Sequence, residues 1–74
     1  MMNEQELKDT LARENGEFRR ILDEHRACEL ELEKLRATTP FGEAEALAER
    51  DLKKRKLILK DRMYQIMAGY GKRP

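Results

Sequence analysis

This chain contains no serine and no tryptophan, and it has a single histidine and a single cysteine among 74 residues. Each shortage excludes something. Without serine, and with one His and one Cys, there is little from which to build a nucleophile, its base and an orienting partner. Carboxylates are plentiful, but on solvated helical faces nothing excludes water to tune them for acid–base work. "GYGK" near the end lacks the spacing and the strand–loop–helix setting of a phosphate loop. An enzyme is therefore not expected, nor a cofactor. The lone Cys28 has no partner for an internal disulfide, which suits a reducing compartment. No apolar run approaches the roughly 18 residues of a membrane-crossing helix. The start, "MMNEQELKDT", is polar and acidic rather than basic and then apolar, so no secretory leader is expected. These absences give the expectation of a soluble, cytoplasmic protein with no membrane span.

What is present is charge. Charged residues make up 42% of the chain and aromatics 5%, with a net charge of only +1. The balance hides an asymmetry. Residues 1–51 carry eight Lys and Arg against fourteen Asp and Glu, and residues 52–74 carry eight against one. So short a chain forms at most one domain, and its burial barely offsets its ordering entropy. With no disulfide available, a second copy of the chain is the default source of extra stability.

Residues 4–36 contain no proline and one glycine, Gly16. Leu11, Phe18, His25 and Leu32 take heptad position a. Leu7, Ile21, Cys28 and Leu35 take position d, with Glu14 interrupting. The spacing predicts a helix over about 4–36. "ENG" at 14–16 is its weak point, so residues 1–14 form a frayed or separate start. "ATTPFGE" at 37–43 breaks the pattern, with Thr39 as N-cap and Pro40 at the first helical position. A second helix then runs over about 40–68, and residues 69–74 form a tail after the Gly69 and Gly71 stop signals. Its stripe is Ala48, Leu52, Leu59, Met63, Ile66 and Tyr70, all within about 40° of Leu52 at about 100° per residue. Leu47, Leu57, Ile58 and Tyr64 fall on another side. A lone hairpin has no use for that second apolar face, whereas a bundle of two hairpins does.

The fold class read from this pattern is all-α: an antiparallel two-helix hairpin, one domain over residues 1–74, self-associating into a coiled-coil-like helical bundle. Folding at 38–40 brings Phe18 to Leu59 and His25 to Leu52. It lays the acidic helix along the basic one, with Glu17, Asp23, Glu24 and Glu31 as candidates to flank Arg62, Arg55, Lys54 and Arg50. Such pairs select register more than they add stability. The expected core is Phe18, Ile21, Leu22, His25, Cys28 and Leu32 against Leu52, Leu59, Met63 and Ile66.

"FRRILDEHRACELELEKL" followed by "DLKKRKLILKDRMYQIM" resembles the YdcH-like family of small bacterial proteins, a domain-of-unknown-function family. The carrying residues are Phe18, Leu22 and His25, and then Leu52, Lys53, Lys54, Lys56, Leu57, Leu59, Lys60, Asp61 and Met63. The likeness spans about residues 14–67. "CELELE" at 28–33 departs from the Leu-Asp pair that usually follows the His in that family. The Thr-Thr-Pro turn falls in a linker that varies in the family. The resemblance implies a self-associating helical hairpin with no established activity.

Three features compete for a role. His25 and Cys28 form an H-x-x-C pair that a symmetric dimer could complete as a metal site. Metal motifs bring more ligands per chain, so both are read as core residues and no metal is expected. The cluster Lys53, Lys54, Lys56 and Lys60 is the candidate interaction site, for a polyanion or nucleic acid. Lys53–Lys54–Arg55–Lys56 points around most of the helix, however, and has little aromatic interleaving for base stacking. Ion pairing across the hairpin, with Lys56 reaching out from the apolar face, accounts for it more simply. A membrane-surface role conflicts with helix 1's need for the same apolar stripe. The reading is a small non-catalytic interaction module of unknown cellular role. Its partner is itself, with an unidentified protein or a polyanion as alternatives.

Overall fold

A computed structural model describes residues 3–38 and 40–71. Three helices follow in order: α1 Glu4–Glu14, α2 Gly16–Arg36 and α3 Glu43–Gly71. The all-helical class expected above holds. The two-helix hairpin does not, because the first expected helix is divided at Asn15. The reason is local chemistry. Asn15 adopts an extended conformation, φ −124° and ψ 107°, and serves both helices. Its N–H closes α1 on Leu11 O at 2.8 Å. Its side-chain oxygen accepts from Phe18 N–H at 3.0 Å and so caps α2. Two helix ends are satisfied by one residue, at little cost to the backbone.

Asn3 caps α1 in the same manner. Its side chain accepts from Glu6 N–H at 2.8 Å and donates to Glu6 Oε1 at 3.3 Å. Of the start expected to be frayed or separate, Glu4–Glu14 form a separate, capped helix of 11 residues.

The second expected helix begins three residues later than predicted. Pro40 sits at a bend before it rather than at its first position, and Thr39, the expected N-cap, lies outside the described residues. Gly42 takes the cap position instead. Its carbonyl accepts from Ala46 N–H at 3.0 Å, and Glu45 reaches back to accept from Gly42 N–H at 2.7 Å. Glu43 and Glu45 lie in the positive first turn, as expected. At the far end α3 continues through Gly69 to Gly71, past the expected stop at residue 68. Residues 72–74 of the expected tail lie outside the described residues.

Helices α2 and α3 form the hairpin, and α1 packs across its open end. The result is a rod of 52 × 20 × 16 Å. One cluster holds it together: Leu11, Phe18, Ile21, Cys28, Leu59, Met63 and Met67. Phe18 is wholly buried at its centre, and Phe18 and Leu59 share that cluster as the hairpin register requires. Leu32 is buried as well. Leu22, His25, Leu52 and Ile66, expected in the core, are half-buried at its edges, and Ala48 is exposed. Leu11, Met67 and Thr10 are buried beyond the predicted set.

The ion pairs that flank the seam differ in part from expectation. Arg62 Nη2 meets Glu17 Oε1 at 3.1 Å, as the register implies. The other cross-hairpin pairs among the described residues are Arg36–Glu49 at 3.2 Å and Lys56–Glu29 at 3.5 Å. Asp23, Glu24 and Glu31 pair with none of Arg55, Lys54 or Arg50 among the described residues. The helical period explains two of these: at about 100° per residue, Arg50 and Lys54 point nearly opposite Leu52 and cannot reach α2.

Candidate functional site: a lysine-lined cleft

The four candidate lysines separate once they are placed on α3. Lys56 and Lys60 enter a half-open cleft of about 360 Å³ between the helices. Lys53 lies beside it, sharing a shallow hollow with Arg36, Leu57 and both of those lysines. Lys54 is turned to the outward face of α3. Three of the four residues are therefore brought to one side, and one is not.

The cleft also recruits residues that the sequence pattern did not assign. α3 supplies Lys56, Lys60 and Tyr64 at successive i, i+4 positions. α2 supplies His25 and Glu29, α1 supplies Lys8, and Met63 and Met67 contribute apolar wall. Lys8 reaches this place because the break at Asn15 lets α1 lean over α3. The signal that could have located it is "NG" at 15–16 read as a joint rather than a weak point.

Tyr64 is the hub. Its hydroxyl donates to Glu4 Oε1 at 2.8 Å, joining α3 to α1 across 60 residues of sequence. Lys8 Nζ lies 3.3 Å from the same carboxylate oxygen. The Tyr64 hydrogen bond, followed by Lys8, holds the Glu4 carboxyl below its ordinary value, and the same bond pushes the Tyr64 phenol up. The ammoniums of Lys8 and Lys60 stand 5.9 and 6.0 Å from the Tyr64 ring centroid, at the outer limit of cation–π attraction.

His25 forms the inner wall. Its side chain is 14% exposed, and Nδ1 lies 3.3 Å from Glu29 Oε1. Nε2 is shielded and has no hydrogen-bond partner among the described residues. Burial drives the imidazole pKa below its ordinary value of 6.5. Glu29 opposes that shift, and Lys56, Lys60 and Lys8 reinforce it. Protonation would place a bare N–H at the shielded Nε2, so the neutral ring is the one the fold favours. Cys28 does not join this wall; its thiol is buried in the core cluster.

The lysines are not equally free. Lys56 is paired with Glu29, Lys53 with Glu49 at 3.4 Å, and Lys8 with Glu4. Lys60 makes no ion pair among the described residues. Such a cleft can hold a small anion, with Lys60 as the least committed donor and the others drawn from existing pairs.

Residues 18–67 match the model of a family described as "Protein of unknown function (DUF465)". No curated protein and no solved structure matches the chain. Among the described residues no helix is long and apolar enough to cross a membrane.

Proposed function

We propose, for a chain that belongs to the YdcH-like family of uncharacterised small proteins (DUF465), a non-catalytic interaction module that works by pairing with a second copy of itself. One observation carries this reading. Leu47, Leu57 and Ile58 on α3 remain 57%, 59% and 58% exposed, on the side away from the core. The molecule is also short of burial. A compact monomer of 8.8 kDa exposes about 4,800 Å² by the usual scaling with mass, whereas this one exposes 5890 Å². A typical stable interface removes about 800 Å² per partner, which is comparable to the excess. A non-catalytic role is supported by the chemistry of the interior, where the one thiol is sealed in the core and the imidazole Nε2 is closed off. The free thiol suits the reducing cytoplasm.

Sedimentation equilibrium of the wild type and Ile58→Asp tests the proposal. The wild type is expected to self-associate at micromolar concentration, and the variant to remain helical but monomeric. A wild type that is monomeric throughout overturns it.

Anion binding is a second reading, favoured by the convergence of Lys8, Lys56 and Lys60 around Tyr64. The basic helix as a nucleic-acid surface fits less well, because Lys53 and Lys56 are engaged by Glu49 and Glu29 and Lys54 faces elsewhere. Retention on heparin at several salt concentrations separates the two. A polyanion surface gives a steep salt slope. A small cleft gives weak retention, yet responds to inorganic phosphate.

A further inference from the structure

The outward face of α3 carries a pattern that specifies how a second copy would lie on it. Leu47, Arg50, Lys54, Leu57, Ile58 and Asp61 all fall within about 60° of the direction opposite Leu52, at about 100° per residue. Every one is exposed. Arg50, Lys54 and Asp61 make no ion pair among the described residues, although Glu49, Lys53, Lys56 and Arg62 around them all do. This strip therefore combines unpartnered aliphatic side chains with unpartnered charges of both signs.

We propose that two copies pair through this strip as antiparallel α3 helices, with the two-fold axis passing between Leu57 and Ile58. This rests on the self-association reading above and adds its geometry. With the axis there, Leu57 and Ile58 of the two copies gather around it, and Lys54 of each copy faces Asp61 of the other. One step further out, Arg50 faces Gln65 and Leu47 faces Ala68; both added partners are exposed on the same side of α3. A two-fold interface must be self-complementary, and each of these contacts occurs twice. The strip from residue 47 to 68 is about 30 Å long at 1.5 Å per residue, long enough for a continuous helix–helix seam.

The charges count against three alternative arrangements. A parallel pair sets Lys54 against Lys54, Asp61 against Asp61 and Arg50 against Arg50. An antiparallel pair slipped by one heptad in one direction sets Asp61 against Asp61, and in the other direction Lys54 against Lys54. Like charges across a helix seam select against these states, in the way that flanking charges choose orientation and register in coiled coils. Of these four arrangements, the one with opposite charges in contact is the antiparallel pair centred on Leu57 and Ile58.

The test is a charge swap read by sedimentation equilibrium, with helicity followed by circular dichroism. All the altered side chains are exposed, so the monomer fold is not at stake. Lys54→Glu and Asp61→Lys are each expected to weaken dimerisation roughly tenfold, since each replaces two attractive contacts with two repulsive ones. Combining the two substitutions in one chain restores opposite charges in the same places and is expected to return the affinity to near the wild-type value. If all four proteins dimerise equally, the antiparallel register is wrong while self-association stands. If the double variant is weaker than either single, the register is likewise overturned. If the wild type is monomeric, both the geometry and the self-association reading beneath it fail.

Discussion

Along α3 the inward side holds Leu59, Met63 and Met67 at 8%, 4% and 7% exposure, while the outward side leaves Leu47, Leu57 and Ile58 at 57–59%. The two sides belong to the same 29-residue helix and differ in what they meet. The inward residues find Phe18, Ile21 and Cys28 of α2 and Leu11 of α1. The outward residues stay outside that cluster: Leu57 only borders a shallow hollow beside Leu32 and Arg36, and Ile58 one beside Glu17. Aliphatic content alone thus does not define a core; the helix carries two apolar strips, and the hairpin covers one.

The sharpest break of that comparison comes from the centre of the inner seam. Phe18→Ala removes the largest fully buried side chain among the described residues and is expected to cost about 3–5 kcal/mol. For a domain this small that amounts to unfolding, seen as lost helicity in a urea titration.

Adjacent residues then separate the two sides. Leu59→Asp buries an unpaired charge and is expected to unfold the chain. Ile58→Asp is expected to preserve helicity and abolish only the association. Equal loss of helicity in both variants would erase the distinction between the faces. Leu52 is half-buried, so Leu52→Asp falls between them.

Asn15→Ala tests the joint that sets α1 against the hairpin. It removes the acceptor for Phe18 N–H and is expected to cost about 1 kcal/mol in thermal or urea unfolding. The Tyr64 to Glu4 contact should weaken with it, because α1 loses the break that aims it.

Acidity acts on His25 with a definite sign. A pKa depressed by folding means the fold stabilises the neutral ring, so this contribution is fully present above the ordinary value of 6.5 and is lost as pH falls through the lower folded value. Melting temperature should therefore decline on that descent, and His25→Gln should flatten this part of the profile. Carboxylates such as Glu4 and Glu49, also depressed, lose their contributions further down, below their ordinary 4.5.

The smallest expected effect is Tyr64→Phe. It deletes an exposed hydrogen bond to Glu4 and is expected to leave the melting temperature nearly unchanged, with faster amide exchange confined to α1.

Much of this was legible in the residues. Heptad spacing places Phe18, Ile21, Cys28 and Leu32 on one face, and all four are buried. The stripe on α3 gave Leu59 and Met63 but stopped short of Met67, which lies about 60° from Leu52 at 100° per residue. It is buried because α1 lies over that end and widens the covered arc. The division of the first helix was not legible in the apolar pattern, which runs on through Leu7 and Leu11. It is written in Asn15, whose side chain competes for backbone hydrogen bonds as apolar side chains do not. Gly16 contributes no needed space: a Cβ there meets nothing within 4 Å. The start of α3 was misplaced for a similar reason. The Thr-Pro pair points to Thr39 as cap and Pro40 as first helical residue, whereas Gly42 and Glu45 close the start of α3. The cleft was half visible, through Lys56 and Lys60 but not Lys8, because its third wall depends on the direction in which α1 leaves the Asn15 joint.

The pairing proposed for α3 requires that its outward side be covered by another molecule of the same chain. Sedimentation equilibrium of the untagged wild type over a hundredfold concentration range measures this directly. The mass is expected to rise to twice the 8.8 kDa of the chain; a constant mass of one chain across that range would mean that no second copy covers this side.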